Sequence, residues 1–172
     1  MLNINIIDDT IFIKNINKDS IKNIYSIYRN TGDFKYATGV FDSIEYKQFS
    51  HQISQFLLRP NVFFLDIYLV STGELIGLVK GVLVGKNKIV WINSLVINTQ
   101  FQSNGYGKKV IELLENYLKH EYDVEKNYLS VYISNFSGIN FWNKCGYVKC
   151  DYPSQRDSNK FNDHVQFMWK IL

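Results

Sequence analysis

The sequence has few cysteines, few prolines and no long apolar run. Its two cysteines, Cys145 and Cys150, have neither a CxxC spacing nor a zinc-ligand pattern, so we expect reduced thiols and no metal site. No run reaches the ~18 apolar residues that a membrane-spanning helix needs. Residues 1–9 lack the basic start and the cleavage site of a signal peptide. We therefore expect a cytoplasmic protein without a membrane partner.

Charge of one sign is also scarce. Lysine and arginine total 19 and aspartate and glutamate total 16, which gives a formal net charge of +3. This excess is too small and too dispersed to indicate a nucleic-acid partner, although it still favours a polyanionic ligand. A chain of 172 residues predicts a single domain over 1–172, and 46% hydrophobic residues suffice for a globular core.

Hydrophobic periodicity predicts a mixed α/β (α+β) domain in the order β-α-α-β-β-β-α-β-α-β-β. Strands are expected at 10–16, 62–70, 75–84, 89–97, 128–134, 147–150 and 164–171. Helices are expected near 20–28 and 42–57, and at 106–118 and 138–144. The segment 31–41, with two glycines, is expected to be a loop.

A glycine-rich turn connects the strand at 89–97 to the helix at 106–118. Residues 102–108 read Gln-Ser-Asn-Gly-Tyr-Gly-Lys. The first N–H groups of a helix have no internal partner and lie at the positive end of its dipole, and glycine permits close approach, so the turn predicts a bound phosphate. The spacing excludes a Walker A loop and a dinucleotide-binding GxGxxG fingerprint.

A second motif follows at 135–147 and reads Asn-Phe-Ser-Gly-Ile-Asn-Phe-Trp-Asn-Lys-Cys-Gly-Tyr. Together the two motifs resemble the signatures of the GNAT family of N-acetyltransferases, Gln/Arg-x-x-Gly-x-Gly/Ala and roughly Asn-x-x-Ala-x-x-Phe-Tyr-x-Lys-x-Gly-Phe. The second signature is matched at Asn135, Phe141, Lys144 and Gly146, with Tyr147 in place of Phe. Gly138 and Trp142 replace the usual Ala and Tyr. The predicted element order is also that of the family, so the resemblance covers nearly the whole chain.

The resemblance implies acetyl-CoA as the co-substrate and direct attack of an amine on its thioester, with no acyl-enzyme. The pantetheine arm would bind backbone groups of the strand at 89–97, and the N–H of Leu95 or Val96 would polarise the thioester carbonyl. The pyrophosphate would lie on residues 102–108, Asn135 near the thioester end, and two aromatic rings beside the arm. The implied cofactor-binding residues are Leu95, Val96, Ile97, Gln102, Ser103, Asn104, Gly105, Tyr106, Gly107, Lys108, Asn135, Phe141 and Trp142.

Proton transfer is where the sequence departs from the family pattern. Many members have a Tyr acid at the position of Trp142, whose indole N–H is no practical proton donor. Many also have a Glu on the bulged strand, where this chain has Asn93 and Ser94. The substitute acids are Tyr132 and Tyr147, and the substitute bases are Asp66, His51 or a chain of water molecules.

The acceptor is a small-molecule or peptide amine that the sequence does not identify. Phe34, Tyr36 and Phe41 suggest a partly aromatic acceptor pocket. Asp66 lies within an apolar strand and is costly to bury unpaired, so we expect it to be solvated or to face the cleft, where it would contact an ammonium group.

Three further points stay open at this stage. The missing Tyr and Glu favour an alternative, a catalytically degenerate CoA-binding or interaction module. Transfer of another acyl group is a third reading. Members of the family are often dimers, so the resemblance admits a homodimer.

Overall fold

A mixed eight-stranded sheet forms the centre of the computed structural model, which describes residues 1–17, 20–84, 88–151 and 164–172. The strands are β1 (Asn5–Ile7), β2 (Ile11–Asn15), β3 (Val62–Leu69), β4 (Leu75–Val84), β5 (Ile89–Ile97), β6 (Lys126–Tyr132), β7 (Val148–Cys150) and β8 (Val165–Ile171). Their order across the sheet is β1-β2-β3-β4-β5-β6-β8-β7. Only β5 and β6 run parallel among these neighbours.

Five helices cover the two faces of this sheet in the described residues. They are α1 (Ser20–Arg29), α2 (Thr31–Thr38), α3 (Tyr46–Leu57), α4 (Tyr106–Tyr122) and α5 (Phe136–Lys144). No helix among the described ranges is long and apolar enough to cross a membrane. The predicted fold class is confirmed, and the predicted strands from β3 to β8 agree with the observed ones to within two residues.

Two elements differ from the prediction. The segment expected to be a loop contains α2, because the Asn30 side chain caps its start by accepting from the Asp33 N–H at 3.2 Å. Gly39 ends the helix with a left-handed φ of 71°. The strand β1 was not predicted, since only three residues pair with β2 at the sheet edge.

Two apolar cores lie on opposite faces of the sheet. Side chains alternate along β3, so Phe63 and Leu65 belong to the core that includes α4 and α5, whereas Phe64 belongs to the core that includes α1–α3. Because both faces of the strand are buried, the sequence of β3 is almost continuously apolar. The two cores thus cover both faces of the middle of the sheet, which includes the parallel strand pair.

Candidate active site

The parallel strands β5 and β6 separate partway along their length. Their pairing runs from Ile89 with Lys126 to Ile92 with Leu129, whereas β5 continues to Ile97. The β4–β5 register shifts at the same place, where Lys80 pairs with Ser94 and Gly81 with Ile92. Asn93 is therefore the extra residue of a β-bulge, as the family resemblance implied. Beyond the bulge, β5 and β6 leave a gap that an extended ligand can enter as an added strand does.

The N-terminus of α4 follows β5 by way of the glycine-rich turn. Gly105 precedes the helix with φ 81°, and no side chain caps the first turn. A Cβ atom at Gly105 would meet no atom within 4 Å, so the space in front of these N–H groups is open. Ser103 also has a left-handed φ, of 64°. Uncapped N–H groups at the positive end of a 17-residue helix suit a phosphate.

Side chains of the turn hold the turn itself in place. The Gln102 side chain donates to the Ile97 carbonyl at 2.8 Å, and its backbone N–H donates to the Thr99 carbonyl at 3.2 Å. The Asn104 side chain donates to the Gln102 carbonyl at 3.0 Å. Gln102 thus fixes the turn to the end of β5, so the groups left to meet a ligand are backbone N–H groups further along.

The first turn of α4 also contacts the β1–β2 connection through an ion-pair cluster that was not predicted from the sequence. Lys109 pairs with Asp8 at 2.8 Å and with Asp9 at 3.3 Å, and it donates to the Thr10 hydroxyl at 2.9 Å. The hydrogen bond to Asp8 raises the pKa of Lys109. Lys109 and its partners are about a hundred residues apart in the sequence, so no local sequence pattern predicts this contact.

The helix α5 places the second motif beside the first. Asn135 caps α5 by accepting from the Gly138 N–H at 3.0 Å. A Cβ atom at Gly138 would lie 2.4 Å from the Asn135 side-chain nitrogen, so in this chain the cap lies directly against Gly138. The Phe141 ring, half-buried, packs on the backbone of Gly107. The two motifs therefore form one surface.

The aromatic residue after Phe141 lies in the core. Trp142 is only 9% exposed, and its ring centroid lies 5.0 Å from that of Tyr147. The Tyr147 hydroxyl donates to Glu115 at 2.8 Å and accepts from Asn127 at 3.2 Å. Burial, with the nearby Glu115 carboxylate, raises the pKa of Tyr147 far above its usual value. This hydroxyl is fully engaged inside the protein, so the geometry disfavours Tyr147 as the proton donor.

Asp66 lies elsewhere than the sequence suggested. It is completely buried on β3, two strands from β5, and was expected to be solvated or to face the cleft. Tyr68 donates to one of its oxygens at 3.2 Å, and the other oxygen has no partner. Burial raises the pKa of Asp66, and the nearby Ser20 and Tyr68 side chains, with the charge of Lys14, oppose only part of that shift. The position disfavours contact with an acceptor.

An aromatic group covers the free end of β6. The ring centroids of Tyr36 and Phe41 lie 5.7 and 5.1 Å from that of Tyr132, and 6.0 Å from each other. Phe41 is 46% exposed. Phe34, which the sequence placed in the same pocket, is instead buried in the core beneath α1–α3. Of the substitute acids, Tyr132 is the one that lies at the strand end beside the gap.

The bulge also holds the helix that carries Tyr36. The Ser94 hydroxyl donates to the Ala37 carbonyl at 2.6 Å, across 57 residues of sequence. Ser94 is 4% exposed. Its side chain therefore fixes the end of α2 over β5, a positioning role that the sequence did not reveal because serine at this place signalled only a missing glutamate.

Comparison with known proteins places the chain in a family. The model of the acetyltransferase (GNAT) family matches residues 21–147, which is more than half of the chain. The chain belongs to the GNAT family. The resemblance to this family that the two motifs indicated is thus confirmed.

Relatives and neighbours of known structure agree with this assignment. The chain is 31% identical over 62 residues to the spermine/spermidine N(1)-acetyltransferase of Bacillus subtilis, a segment that covers 36% of this chain and only 41% of that relative. The spermidine N-acetyltransferase of Vibrio cholerae, solved with CoA and spermine, has a TM-score of 0.77 at 14% identity, with 95% and 96% of the two chains covered. A nucleotide-linked sugar GNAT protein has a TM-score of 0.78 at 14% identity, with 99% and 91% covered. At these identities the structural likeness shows the GNAT fold alone.

Proposed function

We propose that the chain transfers an acetyl group from acetyl-CoA to a primary amine of a small molecule or peptide. The observation that carries this proposal is the contact of Gly107 with Phe141 beside the uncapped start of α4. That contact joins a phosphate-binding turn to the gap between β5 and β6. An extended, polyanionic cofactor with a reactive end fits such a surface. Acetyl-CoA supplies the activated acetyl group as a thioester.

The protein supplies position and polarisation in this proposal. Backbone groups of Leu95 to Ile97 would hold the arm, and the N–H of Leu95 or Val96 would polarise the thioester carbonyl. The amine attacks that carbon directly, and the thiolate leaves. Good orientation alone is worth as much as ~7–11 kcal/mol. Tyr132, at the end of β6, would be the proton donor, with a water chain to accept the ammonium proton.

The comparisons suggest polyamines as acceptors, since the relative and one structural neighbour act on spermine or spermidine. The charge of the acceptor side counts against a polycation. Residues 20–57, which comprise α1–α3 and their connections, carry four cationic side chains against three carboxylates. The cationic residues are Lys22, Arg29, Lys35 and Lys47, and the acidic ones are Asp33, Asp42 and Glu45. The exposed Phe41, beside Tyr36 and Tyr132, fits an acceptor with an apolar body better.

A matched pair of variants at Gly105 tests the cofactor site. A Cβ there meets nothing, and Asn and Asp both tolerate a left-handed φ, so Gly105→Asp and Gly105→Asn differ essentially by one charge. The new carboxylate lies where the pyrophosphate would bind, yet a negative charge favours the start of a helix. Calorimetric titration with acetyl-CoA should therefore show a loss of at least tenfold in affinity for Gly105→Asp relative to Gly105→Asn, without a loss in Tm. Equal affinities would place the cofactor elsewhere.

A CoA-binding module without catalysis is the second candidate. Specific observations favour it: Trp142 is buried, Tyr147 is bonded to Glu115, and the bulge residue Ser94 is engaged with α2. Release of free thiol from acetyl-CoA, measured over a panel of amines, separates the two candidates. Binding without turnover across the panel would favour the module.

The location and assembly are proposals of the same kind. Cys145 and Cys150 are free thiols, which suits a reducing compartment, and we propose the cytoplasm. A homodimer stays a prediction, for which sedimentation of the purified protein is the direct measurement.

A further inference from the structure

Lys80 is a half-buried cation on the acceptor side of the sheet. It pairs across β4 and β5 with Ser94, the residue next to the bulge. Side chains alternate along a strand, so Lys80 shares a face with Leu78, which lies in the core beneath α1–α3. Its Nζ lies 5.2 Å from the ring centroid of Tyr28 and 6.0 Å from that of Phe64.

This ammonium has no carboxylate partner among the described residues. Lys88, Lys109 and Lys170 each pair with an Asp or Glu, whereas Lys80 forms no such pair with any residue of the described ranges. The two rings offset only part of the cost of burying a charge. Because Lys80 is only half-buried and has no anionic partner in these ranges, its ammonium is free to bind an anion from outside the chain.

The Tyr28 ring that faces Lys80 carries a second unsatisfied group. The Tyr28 hydroxyl is buried and has no hydrogen-bond partner, although the residue is only 4% exposed. Buried polar groups are almost always bonded. Lys80 offers an ammonium and Tyr28 a phenol O–H, and among the described residues neither group has an anion to donate to. A carboxylate, which accepts several hydrogen bonds and carries the opposite charge, would satisfy both.

We propose that Lys80 and the Tyr28 hydroxyl form a subsite for a carboxylate on the acceptor. This inference rests on the proposed function and deepens it, because it makes the acceptor an amine that also carries a carboxylate. Adjacent strands are ~4.8 Å apart, so the subsite lies within a few bonds of an amine placed at the bulge. The acceptor class is thus an amino acid rather than a polyamine.

Matched amines that differ only by a carboxylate give the test. Phenylalanine and phenethylamine, tyrosine and tyramine, and lysine and cadaverine are three such pairs. For at least one pair we expect the wild type to have a kcat/KM at least tenfold higher for the amino acid, since hydrogen bonds to a charged group are worth about that factor. In Lys80→Met the ratio should fall to near one with the KM for acetyl-CoA unchanged. Tyr28→Phe, which keeps the ring, should reduce the ratio in part, and Lys22→Met, at an exposed lysine on α1, should leave it unchanged.

A wild-type preference for the decarboxylated amines, or a ratio that Lys80→Met does not change, would overturn the inference. The same pairs are titrated calorimetrically into the CoA-saturated protein, which separates the subsite from the proposed function. If neither these amines nor the wider amine panel is acetylated, the proposed function fails. In that case the subsite is supported if the wild type binds the amino acid more tightly than its decarboxylated partner and Lys80→Met does not. The subsite is overturned if the affinities show no such difference.

Discussion

Gly107 lies directly against the ring of Phe141. A Cβ atom built on Gly107 would fall 3.1 Å from Cε2 and 3.3 Å from Cζ of that ring. Gly107 belongs to the first motif and lies on α4, and Phe141 belongs to the second motif and lies on α5. In the chain, β6 comes between these two helices. One contact thus explains why a glycine in the first motif and an aromatic residue in the second occur together in this chain.

The contact predicts the effect of a single methyl group. Gly107→Ala should push the Phe141 ring away from the start of α4, because a neighbour at 3.1 Å must move. We expect weaker acetyl-CoA binding and a destabilisation of about 1 kcal/mol, at the low end for overpacking because the ring is only half-buried. Calorimetry and urea unfolding measure the two effects.

The double variant with Phe141→Leu provides the control. A smaller side chain leaves room for the methyl group. The double variant should therefore lose less free energy of unfolding than the sum of the losses in the two single variants. Strict additivity would show that the two residues do not interact.

The hydrogen bond from Ser94 to the Ala37 carbonyl predicts a selective effect on the acceptor. Ser94→Ala removes a buried bond worth about 1 kcal/mol and frees the end of α2, which carries Tyr36. The KM for the amine should rise several-fold while the KM for acetyl-CoA stays the same. Ser130→Ala, at an exposed serine on β6, is the matched control. An equal rise in both KM values would show that the bond serves the whole site.

Local patterns predicted the fold and the glycine-rich turn before α4 because both depend on contiguous residues. Periodicity locates strands such as β5, and a strand, glycine-rich turn and helix lie within residues 89–122. The acceptor side depends on distant pairs. The contacts of Ser94 with Ala37, and of Tyr132 with Tyr36, join residues on different elements, and no periodicity encodes them.

Burial explains the two candidate catalytic residues that the structure disfavours. Residue type alone made Tyr147 an acid and Asp66 a base. Tyr147 is instead bonded to Glu115, and Asp66 lies under α1. A sequence gives the chemistry of a side chain, but the direction in which it points depends on how the elements pack.

The buried Tyr147 hydroxyl predicts a loss of stability in alkali. The folded protein holds this proton well above the usual pKa of about 10, whereas the unfolded chain releases it near that value. Above pH ~10 the unfolded state binds fewer protons, so the free energy of unfolding falls as the pH rises. Tyr147→Phe has no hydroxyl at this position, so its free energy of unfolding lacks this dependence on pH. The wild type should therefore be more stable than Tyr147→Phe at neutral pH, and the difference should shrink above pH ~10.

Urea unfolding at a series of pH values measures that difference directly. Tyr46→Phe, the same substitution at an exposed tyrosine on α3, is the control. A constant difference between wild type and Tyr147→Phe up to pH 11 would contradict the assignment.

The burial of Asp66 predicts that loss of its charge neither destabilises the protein nor slows acetylation, whereas loss of a catalytic base would slow acetylation. Burial holds its pKa above the usual 3.8, so its ionised form opposes folding at neutral pH. As the pH falls from neutral towards 3.8, the folded state takes up the proton before the unfolded state does. The contribution of Asp66 to the free energy of unfolding therefore becomes less unfavourable than it is at pH 7. Asp66→Asn keeps an oxygen to accept from Tyr68 and removes the charge. The variant should be at least as stable as the wild type at pH 7, with an advantage that shrinks as the pH falls. It should also acetylate amines at the wild-type rate, and a hundredfold loss of kcat in a folded Asp66→Asn protein would return Asp66 to the catalytic machinery.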